Sequence, residues 1–363
     1  MHKYTVFVYA ICKNEMQFAR RWYESVKEGD GIIVLDTGSD DGTPEFLESC
    51  EKVSVFRETI NPWRFDVARN RSLDHVPQHA DICVCIDLDE VLQTGWREKI
   101  EQAWNSGAGR LKYRYTWNFN EDGSEGTVFW IDKIHCRHGY RWVHPVHEVL
   151  RWVGTAEPRT AIAQGVQVDH HADDSKPRSQ YLPLLEMAVR EKPEDDRNVH
   201  YLGREYMFYR RWDECINMLK RHLQLPTATW ADERCASMRY IARAYKEKGE
   251  KQTAEQWLLR ACAEAPHLRE PWLETAQFYY EKGKFLACAY ACDRCVSIQC
   301  RPVTYITQAD AWGSLPWDLL SISLWKLGQK QAAIAAVTQA EALSPTDDRI
   351  RRNRLYMEEN STN

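Results

Sequence analysis

The chain has 363 residues, 44% hydrophobic and 28% charged, the balance of an ordinary soluble globular protein with room for two or three domains. A formal net charge of −5 excludes a general affinity for nucleic-acid backbone and leaves only a local basic groove open. No apolar run approaches the roughly 20 residues needed to span a bilayer, so a transmembrane segment is not expected. The start, MHKYTVFVYA, reads as a first strand: its apolar core is too short for a secretory signal and lacks a small-residue cleavage pattern. The 12 cysteines are scattered through strand and helix patterns, as in a reducing compartment, and the expected location is cytoplasmic. The 15 tryptophans point to a deep core or aromatic-lined grooves.

Residues 4–11 (YTVFVYAI) form an apolar run that turns polar at Cys12-Lys-Asn-Glu15, and a helical pattern begins near Met16. Residues 32–36 (IIVLD) repeat the plan, followed by Asp36-Thr-Gly-Ser-Asp-Asp-Gly-Thr43 and a helix from about Pro44. Val53 to Phe56 reads as a short third strand. Asn61-Pro-Trp-Arg-Phe-Asp-Val-Ala-Arg-Asn70 then leads into a helix around Ala68–His75. Residues 82–86 are a further strand, whose apolar Ile82, Val84 and Ile86 give way abruptly to Asp87, Asp89 and Glu90. Strand, polar tip and helix in repetition predict an α/β sheet with parallel strands. Such sheets bind ligands beyond the carboxyl ends of their strands, where Asp36, Asp87 and Asp89 all fall.

Asp87 and Asp89 are two apart in an extended segment and so face one space. Carboxylates that close repel unless a cation or ligand donors lie between them. Oxygen ligands of this kind suit Mg²⁺ or Mn²⁺ shared with a substrate phosphate. The loop after Asp36 is neither a GxGxxG fingerprint nor a GxxxxGK[ST] phosphate loop. Ser39, Asp40 and Thr43 fit turn and helix-start chemistry. Asp36, closing an apolar strand, is placed to accept from a base or ribose donor.

From 111 to 170 the pattern is strand-like and aromatic, with Glu121-Asp-Gly-Ser-Glu-Gly126 as a hairpin turn between LKYRYTWNF and TVFWIDKI. His135, Cys136, His138, His144 and His147 lack structural-zinc spacing. A single histidine completing an Asp-bound divalent site fits better, and His147 beside Glu148 is the candidate. His170 and His171 read as a polar strand end. The charged stretch that follows has a helical pattern at 179–190 and links to a second half. There, residues 238–261 align with 272–295 at a shift of 34, placing Tyr245 on Tyr279 and Gly249 on Gly283. Residues 317–345 form a third copy after an insertion around 300–315, and 200–219 a degenerate earlier one. This is the tetratricopeptide period. Cys292-x-x-Cys295 lies inside one such helix, where packing is the expected role. The expected domains are 1–172, a helical linker over 173–197, and 198–363.

Taken together, Ile11-Cys-Lys-Asn-Glu15, Asp36 to Thr43, Phe65-Asp-Val-Ala-Arg-Asn70, Asp87-Leu-Asp-Glu90 and Val146-His-Glu148 resemble the inverting glycosyltransferases of family 2. The resemblance is to the branch whose catalytic domain precedes tetratricopeptide repeats, as in bacterial cell-surface glycan enzymes and sublancin-type peptide S-glycosyltransferases. Leu88, commonly a small residue there, and the His- and Trp-rich stretch 130–152 depart from the pattern. The resemblance implies an α/β GT-A domain, Rossmann-like with a mostly parallel sheet, followed by an all-α repeat domain. It implies a metal-dependent enzyme that moves a sugar, with inversion, from a nucleotide-diphosphate sugar (UDP by class) to an acceptor. Asp36 would meet the base, and Cys12, Asn14 and Glu15 would form the near wall of that pocket. Arg69 would pair with base or phosphate, and Asp87 would approach the ribose or the metal's water shell. Asp89 would bind Mn²⁺ or Mg²⁺ directly, with His147 supporting the metal–diphosphate end. The repeats would help hold a peptide, glycan, lipid-linked sugar or modified nucleic-acid base; oligomerisation is left open.

Inverting transfer needs a base for the acceptor's proton. Glu148 is the nominee, with Asp122, Glu125 and Asp132 as rivals; alternatively Glu148 fixes His147's orientation. A second class of reading keeps the GT-A fold without catalysis, as a peptide-binding module with a repeat groove. Trp272, Tyr279, Trp317 and Trp325 either line that groove or pack between helices. A nucleotidyltransferase would need a phosphate-cradling loop near the first strand, where only Lys13 is offered.

Overall fold

In the computed structural model, which describes residues 3–104, 107–120, 122–173 and 178–361, the chain separates into two compact units, Met1–Ala188 and Val189–Asn363. The first opens as β1 (Val6–Cys12), α1 (Met16–Val26), β2 (Gly31–Asp36), α2 (Thr43–Glu48), β3 (Val53–Arg57), α3 (Phe65–His75) and β4 (Ile82–Cys85). Helical crossovers carry the chain back to the same end of the sheet before each strand, so these strands run parallel, in the order β3-β2-β1-β4. Both faces are covered. Val8, Val34 and Val84 pack with Trp22, whereas Tyr9, Ile33, Cys83 and Cys85 pack with Leu73 on the other side. That is why these strands read as continuous apolar runs rather than alternating ones.

The chain continues as β5 (Glu90–Leu92), α4 (Trp96–Trp104), β6 (Ala108–Thr116), β7 (Val128–Cys136), β8 (Tyr140–Val143), β9 (Val149–Trp152), β10 (Arg159–His170) and α5 (Tyr181–Glu191). β7 inserts antiparallel between β4 and β6, giving one eight-stranded sheet ordered β3-β2-β1-β4-β7-β6-β10-β5; β8 and β9 form a separate ribbon. The sheet is mostly parallel and matches the α/β GT-A architecture that the resemblance implies. In the β6–β7 hairpin, the Asn120 N–H donates to the Ser124 carbonyl at 2.8 Å, and Phe119 bridges Glu125. Glu121 of the expected turn, and residues 174–177 of the expected linker, lie outside the described residues.

The second unit is helical: α6 (Asp196–Phe208), α7 (Trp212–Gln224), α8 (Ala231–Glu247), α9 (Lys251–Glu264), α10 (Arg269–Glu281), α11 (Phe285–Ser297), α12 (Leu315–Lys326), α13 (Lys330–Leu343) and α14 (Asp348–Glu359). The expected repeats are helix hairpins, and each turns the same way. Gly249, Gly283 and Gly328 sit at φ 81°, 66° and 76°. Each donates its N–H three residues back, and the next N–H reaches five back, the paired bonds of a left-handed helix cap. In the degenerate copy Arg210 takes that position at φ 55° with the same two bonds. Cys288, Cys292 and Cys295 are buried with Leu273 and Ala276 in an apolar cluster. No helix among the described residues is long and apolar enough to cross a membrane.

Candidate active site

Pairing in register brings the ends of three strands together. Cys12 lies opposite Asp36, and Tyr9 of β1 opposite Cys85 of β4. Asp36 is buried and accepts from the N–H groups of Gly38 (3.1 Å) and Ser39 (3.2 Å) and from the Ser39 hydroxyl. Gly38, at φ 108°, supplies the left-handed turn that aims these donors back at the carboxylate. Asn14 ties the neighbouring loop on: its N–H donates to Ser39 Oγ at 2.9 Å, and its Oδ1 accepts from the Asp40 N–H at 2.9 Å. The Glu15 N–H donates to Thr43 Oγ1 at 2.9 Å. The structure thus joins Cys12–Glu15 and Asp36–Thr43 into one wall. Burial pushes the Cys12 thiol up, so it stays protonated and unreactive there.

Past β4 the chain makes a tight turn. The Glu90 N–H donates to the Asp87 carbonyl at 2.9 Å, and the Asp87 N–H donates back to Glu90 Oε2 at 2.8 Å. Two cations converge on this turn. Buried Arg69, on the inner face of α3, grips Asp87 with both terminal nitrogens at 2.6 and 2.9 Å and donates Nε–H to Glu148. Lys133, from β7, reaches Glu90 at 2.6 and 2.7 Å and Asp87 at 3.2 Å. Tyr115 donates its hydroxyl to Glu90 at 2.8 Å. Burial alone would raise Asp87, yet Arg69 and Lys133 outweigh it and hold that carboxyl well below the usual range. The same carboxylates hold Lys133 well above its ordinary value against the desolvation that would lower it.

Asp89 faces the other way. Its Oδ2 lies 3.4 Å from His170 Nε2, and its carbonyl accepts from the His171 N–H at 2.8 Å. The cause is register: His170 of β10 pairs opposite Glu90 of β5. His170 donates Nδ1–H to the Trp117 carbonyl at 2.8 Å and stacks on the Trp117 ring, centroids 4.5 Å apart. Burial pulls its pKa down, but Asp89 more than reverses this and the net direction is up. Trp117 and Phe119, 50% and 37% exposed, form an aromatic shelf beside it, with Phe119 stacked on His171.

The structure therefore assembles Asp36 with Cys12, Asn14 and Glu15, and Asp87 with Arg69 and Glu148. His147 adopts φ 51° and stacks on Tyr181, whereas the histidine against Asp89 is His170. Among the described residues, no group of three potential metal-ligand atoms within mutual reach includes Asp89, so Asp89 and His170 stand as a pair. The rival acids are engaged locally: Glu125 by Arg114 and Thr116, Asp132 by Arg110, and Asp122 by Ser124. His135 and His138 point elsewhere, the former to Tyr9 and the latter to the Gln78 carbonyl. Sequence reasoning missed Lys133, His170 and the Trp117 shelf. A signal existed for His170, which shares its strand face with buried Val166 and Val168.

No curated protein matches the sequence. Among solved structures, a crystal structure of MamA aligns with TM-score 0.36 at 16% identity, covering 46% of this chain and 83% of that one. The C-terminal part of a TPR repeat-containing protein from Cytophaga hutchinsonii aligns with TM-score 0.40 at 14% identity, covering 49% and 64%. The APC/C hetero-tetramer Cut9–Hcn1 aligns with TM-score 0.37 at 14% identity, covering 51% and 33%. Likenesses this distant speak to no activity. Residues 7–140 match the model described as Glycosyl transferase family 2, a span that holds Asp36, Arg69, Asp87, Asp89 and Lys133. The amino-terminal unit accordingly carries a glycosyl transferase family 2 domain.

Proposed function

We propose that this domain moves a sugar from a nucleotide-diphosphate sugar, a UDP-sugar by class, to an acceptor with inversion and with the help of Mn²⁺ or Mg²⁺. The carrying observation is how the acids after β4 divide. Asp87 and Glu90 are neutralised by Arg69 and Lys133, while Asp89 is left beside His170 next to an exposed aromatic shelf. A carboxylate oxygen and an imidazole whose Nδ1–H is fixed on a carbonyl fit a divalent cation that keeps its remaining positions for diphosphate and water. In this reading Asp89 and His170 hold the ion, and His147, first assigned that role, supports the wall near Tyr181. When bound, the cation neutralises charge developing on the departing diphosphate.

The chain's own residues set the geometry. Asp36, with Cys12, Asn14 and Glu15, receives the nucleotide base: its carboxylate accepts from the Gly38 and Ser39 N–H groups, the Ser39 hydroxyl and, weakly, the Cys12 thiol, and a base N–H takes the place of the thiol. Arg69 and Lys133 hold Asp87 in its acceptor form, directed at the ribose. Trp117 and Phe119 offer apolar faces against which a sugar or acceptor can stack. Glu148, engaged with Arg69, positions that guanidinium instead of collecting the acceptor's proton. An acceptor that ionises readily, such as a thiol, asks little of a base. The repeat unit is assigned to acceptor binding, and the enzyme to the cytoplasm.

The test is a panel of sugar nucleotides with and without Mn²⁺, read by nucleotide release and by thermal shift. The donor should raise the melting temperature by mass action, more so with the ion. Neither release nor stabilisation with any member of the panel would refute the reading.

A further inference from the structure

The helical unit contains a polar cluster that sugar transfer does not use. His200 on α6, His222 on α7 and Glu233 on α8 are buried, and their ligand atoms all lie within 4.8 Å of one another. Both imidazoles are 0% exposed. Three helices of a repeat array would ordinarily meet through small apolar side chains, so three ionisable groups at such a junction require compensation.

The orientation of the rings is fixed from behind. Ser237, one turn after Glu233, places its Oγ 2.8 Å from His200 Nδ1 and 2.9 Å from His222 Nδ1. A hydroxyl oxygen has two lone pairs and can accept both Nδ1–H groups, which leaves a lone pair on each Nε2. Those two Nε2 atoms are buried without a hydrogen-bond partner. His222 Nε2 already stands 3.5 Å from Glu233 Oε1, and the other Glu233 oxygen accepts from the Tyr305 hydroxyl. Arg197 and Arg204 stack on the neighbouring Tyr201 ring at 4.8 and 4.5 Å.

We propose that His200, His222 and Glu233 form a structural site for a divalent transition-metal ion, Zn²⁺ by donor type, joining α6, α7 and α8. Two imidazole nitrogens and a carboxylate are a common zinc set, with the Tyr305 hydroxyl or water at the fourth position. Ligand atoms about 2.0–2.2 Å from a tetrahedral ion lie roughly 3.3–3.6 Å apart. The His222–Glu233 separation is already of that order, and the ligand atom of His200 lies within 4.8 Å of both. Ser237 does for both rings what a carbonyl or carboxylate does behind other zinc-bound histidines.

The experiment uses the full chain carrying Asp89→Asn and His170→Ala, so that the proposed sugar-transfer ion is removed from the count. The protein is stripped with EDTA and titrated with Co²⁺ as the probe. One equivalent should bind with the visible absorption of a four-coordinate ion, Zn²⁺ should displace it, and the melting temperature should rise by about 5 °C or more. Adding His222→Gln should abolish both the absorption and the shift. Retention of either in that variant overturns the proposal. If the variant fails to fold, the parent decides: no Co²⁺ absorption and no shift would make the cluster a hydrogen-bonded network and nothing more.

Discussion

Replacing Glu148 by glutamine separates two roles for this carboxyl, base and positioning group. Its side chain is 10% exposed, and that of its partner Arg69 is 9%. Glutamine keeps an Oε1 to accept the Arg69 Nε–H, so the hydrogen bond survives but loses its charge assistance. Charge-assisted bonds contribute about 1.5–3 kcal/mol and neutral ones about 0.5–1.5, so the substitution should destabilise by about 1–2 kcal/mol. Arg69 retains its two bonds to Asp87 at 2.6 and 2.9 Å, so no buried charge is stranded. The loss therefore stays below the roughly 3–5 kcal/mol of breaking a buried pair outright. If the same 1–2 kcal/mol is felt at the reacting end, turnover falls roughly 5- to 30-fold. A general base would instead lose about 10²–10⁴ in kcat, with an unchanged melting point and a flattened acid limb in the pH–rate profile. Steady-state kinetics across pH, beside a thermal melt, decide. A kcat loss beyond about 10²-fold with stability intact would refute the positioning argument.

Asp89→Asn should abolish transfer while leaving the melting temperature of the metal-stripped protein unchanged; activity that survives added Mn²⁺ removes Asp89 from the ion. Lys133→Met strands the buried Glu90 carboxylate, while Asp87 keeps Arg69, and should cost about 3–5 kcal/mol in a denaturant titration; a loss under about 1 kcal/mol would mean the cluster is not held by charge. Arg210→Gly relieves a left-handed side chain that costs about 1–2 kcal/mol, against about 0.5–1 of added chain entropy. A modest rise in melting temperature is expected, and a fall would show that Arg210 is otherwise required. His135 is driven by burial down to about 3, below its ordinary value of about 6.5, so the unfolded chain takes the proton first. Its contribution is complete above about pH 6.5 and declines as pH falls toward 3, by at most about 1.4 kcal/mol per unit. An NMR titration placing His135 near 6.5 would contradict this.

What the sequence made legible is what short-range order encodes. Asp36 and Asp87 close apolar runs whose length and composition are local facts, and the glycines at 249 and 283 mark a period because one backbone conformation recurs. What stayed hidden depends on which strand lies beside which. β7 enters antiparallel between β4 and β6, and only that insertion carries Lys133 to Asp87. Register between β5 and β10 sets His170 against Asp89, and no periodicity in either segment contains the pairing. His147 was attractive because it adjoins Glu148, but neighbours in a chain bent at φ 51° do not share a direction: one stacks on Tyr181 and the other meets Arg69. Even α4 had a readable signal in Trp96, Ile100 and Trp104 at helical spacing, all buried.

His135 and His170 show why geometry, not residue type, decides which imidazole is left able to take up a proton or a cation. Each donates Nδ1–H to a main-chain carbonyl at 2.8 Å, that of Cys136 and that of Trp117, so each presents a lone pair at Nε2. For His135 that lone pair accepts from the Tyr9 hydroxyl at 2.7 Å, and Tyr9 accepts from Trp142 Nε1 at 2.9 Å. Every donor there meets an acceptor, and the ring has nothing left to do. For His170 the lone pair faces a carboxylate oxygen at 3.4 Å, and an ionised carboxylate only accepts. Two lone pairs pointed at one another require something positive between them, either a proton on the ring or a cation held by both groups. The first option explains why the ring's pKa moves up despite burial. The second is open to any divalent ion that can displace that proton, and the donor's diphosphate would bring further oxygen ligands to it, so substrate and metal would strengthen one another's hold on the end of this sheet.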